Sequence, residues 1–164
     1  MRMEKYPFFP LFVDLSAKKL LVVGGGKIAR RRIRVLSDFT PRLTVIAPEL
    51  DPMLVPLERE GRLIVLRRRY APGDSEGAAL VFAATNDSAV NAAVAAECRH
   101  LGIPVNVSSD RGLSDFYFPG IARRDNVVIG VTASGENHAQ AKQVTDQVRL
   151  WMEASLPHGI AEGE

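Results

Sequence analysis

The chain has 164 residues, of which 46% are hydrophobic and 24% are charged, and its formal net charge is +2. This composition suits one globular domain with a small appendage and enough apolar material for a core. The small net charge does not indicate nucleic-acid binding, and no apolar run approaches the length of a membrane span. The N-terminus lacks the layout of a signal peptide, which predicts a cytoplasmic protein without a membrane partner.

The first predicted strand, residues 19–23, runs directly into a glycine turn that is followed by a helical pattern. Gly24 allows the tight turn, Gly26 lets the backbone approach a pyrophosphate, and Ala29 permits close packing of helix and strand. Free N–H groups at the helix start favour phosphate charge. The context therefore favours dinucleotide binding over the alternative, a plain strand-to-helix turn.

Strands alternate with helical patterns along most of the chain, which predicts a parallel sheet with helices on both faces. The fold class is thus α/β and Rossmann-like. Further strands are predicted at residues 43–47, 63–66, 79–85, 103–107 and 127–131, and helices at residues 28–40, 52–60, 88–100 and 138–154. The apolar stripe of the last helix packs either on this chain or on a two-fold partner.

The chain has one cysteine, Cys98, which excludes an internal disulfide. Cys98 is predicted to be a packed thiol.

Ligands of open parallel sheets bind beyond the carboxyl ends of the strands. Four segments converge there, at residues 24–28, 47–49, 84–87 and 106–110. The candidate cofactor contacts in them are Gly24, Gly25, Gly26, Lys27, Ile28, Pro48, Glu49, Ala84 and Thr85. Glu49 lies about twenty residues beyond the turn, where an acid often meets the adenosine ribose. Its side chain could equally be solvated, with contact made by the Pro48-Glu49 backbone. An acid there would repel a 2′-phosphate, which favours NAD over NADP.

Other polar residues give less specific signals. Two arginine clusters could meet a polycarboxylate substrate or form a solvated basic face; they comprise Arg30, Arg31, Arg32 and Arg34, and Arg67, Arg68 and Arg69. The spacing of His100, His138 and His158 does not build a metal site, so no metal is expected. Asp110 and Asp115 are candidate general bases or turn-forming aspartates.

Several motifs occur in an order that resembles the N-terminal domain of the siroheme synthase family, which comprises precorrin-2 dehydrogenases and sirohydrochlorin ferrochelatases. The resemblance covers roughly residues 6–145. Its motifs lie at residues 6–15 (Tyr-Pro-Phe-Phe-Pro-Leu-Phe-Val-Asp-Leu), 21–31, 45–50, 83–87 with Asn91, 103–107 and 115–119.

The resemblance implies NAD-dependent oxidation of precorrin-2 to sirohydrochlorin, a tetrapyrrole, followed in many members by insertion of ferrous iron. It places cofactor contacts at Lys27, Ile28, Pro48 and Glu49. It also implies a homodimer built in part by a strand after the nucleotide domain. The expected organisation is therefore an NAD-binding domain at residues 1–115 and a dimerisation segment with a terminal helix at residues 116–164.

The sequence departs from the family pattern in three places. Ser109 stands where the family has its key aspartate, so Asp110 must substitute as the base or activity is impaired, and Ser109 and Asp110 are the candidate catalytic residues. Ala133 stands at the position of a regulatory serine. The chain also ends after one helix where family members continue into a helical domain, so ferrochelatase activity is less supported than dehydrogenase activity. The alternatives are a non-catalytic NAD- or tetrapyrrole-binding module and, less favoured, a nucleotide-sensing domain of ion transporters.

Overall fold

A computed structural model describes residues 7–156 of the chain. The chain separates into two compact units. The larger unit is Val13–Phe116, and the smaller comprises the described residues 7–12 and 117–156. No helix within the described range is long and apolar enough to cross a membrane.

The larger unit is built on a five-stranded parallel sheet with the strand order β3-β2-β1-β4-β5. The strands are β1 Leu20–Val23, β2 Leu43–Ile46, β3 Leu63–Leu66, β4 Leu80–Ala83 and β5 Val105–Val107. All four residues of β1 are at most 1% exposed, because β1 is central and helices cover both of its faces. The predicted α/β, Rossmann-like class is confirmed, although β4 and β5 are shorter than predicted.

Three helices belong to this unit: α1 Lys27–Leu36, α2 Val55–Arg59 and α3 Ser88–Leu101. The helix predicted at residues 52–60 is divided, with a 3-10 turn at Pro52–Leu54 before α2. Pro56 explains the division, because it has no N–H to donate to the preceding turn. On one face of the sheet, α3 packs Val94, Ala95 and Cys98 against β1 and β4. Cys98 is fully buried as predicted, and burial raises the pKa of its thiol.

The smaller unit consists of an antiparallel strand pair, β6 Gly120–Arg124 and β7 Val127–Val131, and helix α4 His138–Ser155. Strand β6 was not predicted, since its Gly-Ile-Ala-Arg-Arg sequence has no clear apolar alternation. Helix α4 packs on β6 and buries Thr145 and Met152, at 3% and 1% exposure. Trp151 stays 54% exposed, so packing within the chain covers only part of the predicted stripe.

Candidate dinucleotide-binding site

The strand order reverses between β1 and β4, and a ligand crevice of a doubly wound sheet lies at the carboxyl ends of the strands at such a point. The register aligns Val23 with Ala83, so the turns that follow β1 and β4 begin side by side. The Ala84 N–H donates to the Val23 carbonyl over 2.8 Å. The topology thus brings the glycine turn next to the segment that begins at Ala84.

The first two glycines of the turn are required by close backbone packing. Gly24 has φ +119°, and a Cβ there would lie 2.5 Å from the Ala84 carbonyl oxygen. A Cβ on Gly25 would overlap the Glu49 carbonyl oxygen. Gly26 differs, because a Cβ there would meet no atom within 4 Å. The space beside Gly26 is therefore open to an incoming group.

Gly26 is the N-cap of helix α1, which has no side-chain cap from the described residues and no acid in its first turn. Lys27 and Ile28 are exposed on this turn. Uncapped N–H groups, the positive end of the helix dipole and open space beside Gly26 suit a phosphate. The residues present therefore fit the pyrophosphate of a dinucleotide.

The loop after β2 packs on the same turn. Pro48 and Glu49 are exposed, and the Glu49 side chain forms no hydrogen bond within the described part of the chain. Asp51, which sequence reasoning missed, donates its N–H to the Gly25 carbonyl over 2.8 Å. Its carboxylate accepts from the Met53 N–H and from Arg30, each over 3.0 Å. An aspartate directly before a proline is a local capping signal that could have identified Asp51.

The loop after β4 is held by Asn91, a buried residue of α3 that is 1% exposed. The Asn91 Oδ1 accepts from the Thr85 N–H over 3.2 Å and lies 2.8 Å from the Thr85 hydroxyl. The Asn91 Nδ2 donates to the Thr85 carbonyl over 3.1 Å and to the Ser109 hydroxyl over 3.0 Å. Sequence reasoning noted Asn91 only as part of a motif. The structure makes it the link between the loops after β4 and β5.

The loop after β5 contains the candidate catalytic residues. Asp110 is exposed, and its Oδ1 accepts from the Gly112 N–H over 2.7 Å. Asp115 exchanges hydrogen bonds with β5: its carboxylate accepts from the Val105 N–H over 2.9 Å. Asp115 therefore has the structural role that was the alternative to a general base. Asp110 caps a turn with one oxygen, and its catalytic role stays a prediction.

Most arginines of the two clusters have partners within the chain. Arg67 pairs with Glu58 through both carboxylate oxygens, and Arg68 pairs with Asp74 in the same way. These side-chain hydrogen bonds hold the pKa of Glu58 and the pKa of Asp74 below their ordinary values. Arg68 and Arg67 are therefore less available to a polycarboxylate than the sequence suggested.

The first cluster is divided between the two faces of α1. Arg32 lies over the Phe82 ring, 5.9 Å from its centroid, and burial lowers its pKa to about 10. Arg31 and Arg34 are exposed.

Across residues 7–156, no group of three or more His, Cys, Asp or Glu side chains is placed to hold a metal ion, and His158 lies outside the described residues.

A parallel sheet with an open glycine turn at its switch point defines a dinucleotide-binding protein of the Rossmann class. The family model described as "Putative NAD(P)-binding" matches residues 11–120. The chain belongs to this family, in the branch formed by the N-terminal domain of siroheme synthases. The predicted resemblance and the predicted NAD cofactor are thereby confirmed. Tyr6, in the first of the motifs, lies outside the described residues.

Individual relatives agree with this assignment. The chain is 37% identical over 148 residues to the siroheme synthase of Stutzerimonas stutzeri (strain A1501). This alignment covers 90% of this chain and 32% of the relative. It is 40% identical over 145 residues to the siroheme synthase of Pseudomonas putida (strain W619), and this alignment covers 88% of this chain and 31% of that relative. The chain thus spans about a third of the length of these relatives. A solved structure of "SirC, precorrin-2 dehydrogenase" superposes with a TM-score of 0.75 at 26% identity, covering 86% of this chain and 69% of that one.

Proposed function

We propose that the protein is an NAD-dependent dehydrogenase that oxidises precorrin-2 to sirohydrochlorin in siroheme biosynthesis. The observation that carries the proposal is the uncapped N-terminus of α1 behind an open Gly26, at the switch point of the sheet. The similarity to siroheme synthases and to a precorrin-2 dehydrogenase supports the substrate, since it extends over nearly nine-tenths of the chain.

Bound NAD supplies the hydride acceptor, and the substrate loses a hydride and a proton in the overall oxidation. The glycine turn and the first turn of α1 would hold the phosphates, and Pro48, Glu49, Ala84 and Thr85 would border the nucleotide. The Asn91 amide fixes Thr85 and Ser109 relative to each other. The two loops at this edge of the sheet are thereby held in one arrangement, which is what orienting two reactants requires of such a scaffold.

We assign the proton-accepting role to Asp110. The Gly112 N–H orients its Oδ1, and the side chain is exposed beside Ser109. A carboxylate held in this way can accept a proton through its second oxygen, directly or through one water. Ser109 has no carboxylate and acts as a hydrogen-bonding neighbour.

Turnover by the purified chain with precorrin-2 and NAD tests the proposal. We expect equal amounts of NADH and sirohydrochlorin. Asp110→Asn should lower kcat by roughly a hundredfold, because a positioned general base contributes at least that factor. Asparagine can still accept from the Gly112 N–H, so the turn is preserved and the loss reports on the proton. Ser109→Asp, which installs a carboxylate within reach of the Asn91 amide, should raise kcat.

A second candidate is a non-catalytic module that binds NAD or the tetrapyrrole. Ser109 in place of an aspartate, together with the turn-capping contact of Asp110, favours it. The two candidates differ in one result. Binding of both ligands without NADH formation, even by the Ser109→Asp variant, would reject the dehydrogenase and leave the binding module.

We also propose a cytoplasmic homodimer that associates through the smaller unit. Large apolar side chains of this unit remain exposed, including Val127 at 46%, Leu150 at 66% and Trp151 at 54%. Exposed apolar surface of this kind marks association sites. Sedimentation equilibrium of the unchanged chain and of Trp151→Glu tests this: a monomer in both cases would contradict the proposal.

A further inference from the structure

We infer that Asp51 and Arg30 together determine which dinucleotide the protein accepts, and that Asp51, not Glu49, is the carboxylate that rejects a 2′-phosphate. The inference rests on the dinucleotide site proposed above and concerns its specificity only. Sequence spacing gave Glu49 as one possible ribose contact, whereas the structure places a different acid, Asp51, against the glycine turn.

Three contacts fix Asp51, and one of them is made to the glycine turn itself. Its N–H donates to the Gly25 carbonyl, its Oδ1 accepts from the Met53 N–H, and its Oδ2 accepts from Arg30. The carboxylate is only 12% exposed. The acid after the second strand of a Rossmann sheet is the group that faces the adenosine ribose. Glu49 is exposed, whereas Asp51 is held against the glycine turn, so we assign the carboxylate with a defined position beside the ribose to Asp51.

Arg30 projects from the first turn of α1 toward the same place. Its Nη1 lies 3.0 Å from the Asp51 Oδ2 and 3.0 Å from the Met53 sulfur. A guanidinium at this position is the group by which Rossmann proteins accept the 2′-phosphate of NADP. Here Asp51 pairs with that guanidinium, so the two groups together carry no net positive charge to attract a 2′-phosphate. A 2′-phosphate would therefore meet an arginine that is already paired with a carboxylate, whereas the 2′-hydroxyl of NAD can donate to that carboxylate.

Asp51→Asn tests the inference, because it removes the charge while keeping the shape and the acceptor for the Met53 N–H. We expect the ratio of the NADP Kd to the NAD Kd to fall at least roughly tenfold, since like-charge repulsion is removed and Arg30 is released. Adding Arg30→Gln to Asp51→Asn should abolish the gain. Glu49→Gln alone should shift the ratio by less than a third of that amount. Equilibrium titration of each variant with both dinucleotides measures all of these, and thermal melting checks folding.

Asp38→Asn is the matched control. Asp38 accepts from Arg62 over 3.0 Å in an equivalent Asp–Arg pair, but it lies beyond the opposite end of α1. Both Kd values should be unchanged in this variant. An unchanged ratio in Asp51→Asn, or an equal gain in Glu49→Gln, overturns the specificity inference alone. Failure of the unchanged chain to bind either dinucleotide overturns the proposed function and the inference with it.

Discussion

Two strand-to-helix turns begin side by side at the carboxyl end of the sheet, and they treat the following helix differently. The turn before α3 ends in Asp87, whose Oδ1 accepts from the Ala89 and Val90 N–H groups over 2.9 and 3.2 Å. The turn before α1 ends in Gly26, and no side chain from residues 7–156 caps that helix. Because both turns follow neighbouring parallel strands, topology does not explain the difference.

The difference agrees with the proposal that the start of α1 receives the phosphates of a dinucleotide. The chain satisfies its own donors at α3 and leaves those of α1 open, with no acid in the first turn of α1 and open space beside Gly26. Because glycine is itself a tolerated N-cap, this helix start forfeits only about a few tenths of a kcal/mol relative to a side-chain cap. That cost is recovered when an anion binds there.

The largest expected effect comes from closing the space inside the glycine turn. Gly24→Ala should lower the free energy of unfolding by about 3 kcal/mol, because the new Cβ meets the Ala84 carbonyl and φ is +119°. Urea unfolding measures the loss. Gly26→Ala is the internal control and should change stability by less than about 1 kcal/mol, since its Cβ meets nothing. Equal losses in the two variants would contradict the assignment of different roles to the two glycines.

The second prediction gives α1 the kind of cap that α3 has. Gly26→Asp should weaken NAD binding roughly a hundredfold, about 3 kcal/mol, because the carboxylate takes the amides and repels the phosphates. The melting temperature should hold or rise, since Gly26 already has the extended backbone of an N-cap. Gly26→Asn separates the causes: it caps without charge and should weaken binding less. Wild-type NAD affinity in Gly26→Asp would refute the proposed phosphate site.

The third prediction concerns the residue that joins the loops after β4 and β5. Asn91→Leu should lower the free energy of unfolding by about 2 kcal/mol, because the Thr85 backbone groups lose their buried partner. Asn91→Asp keeps the acceptor, loses the donor to both the Thr85 carbonyl and the Ser109 hydroxyl, and buries a negative charge. It should therefore lower the melting temperature and, at a temperature where the variant is still folded, raise the KM for NAD severalfold, because the loops after β4 and β5 are no longer joined. A stability loss without any change in KM would make Asn91 purely structural.

The smallest effect is expected at the capped turn itself. Asp87→Ala should lower the free energy of unfolding by about 1 kcal/mol, the ordinary value of an N-cap. Asp87→Asn retains an acceptor and should stay within a few tenths of a kcal/mol of the unchanged chain. If Asp87→Ala costs nothing in chemical denaturation, the α3 cap is not stabilising and the contrast between the two turns loses its energetic basis.

Features with a local sequence signal were predicted well. The strand, glycine turn and helix at residues 20–36 combine an apolar run, glycines and helical spacing within a short stretch, and α4 begins at His138 as predicted. The alternation of strands and helices was enough to predict the parallel sheet, because crossovers between parallel strands need intervening chain. Strand β6 was missed because its pairing with β7, not its own composition, makes it a strand.

The sequence by itself determined the α/β class and predicted the glycine turn with the three other segments at the same edge of the sheet, since each depends on neighbouring residues. Only the tertiary structure decided how the polar groups there are used. Asp51 reaches Gly25, Asn91 reaches Ser109, and Arg67 and Arg68 are occupied by carboxylates of the same chain. A hydrogen bond acts over about 3 Å, so its partner is set by where the fold places distant segments and not by spacing along the chain.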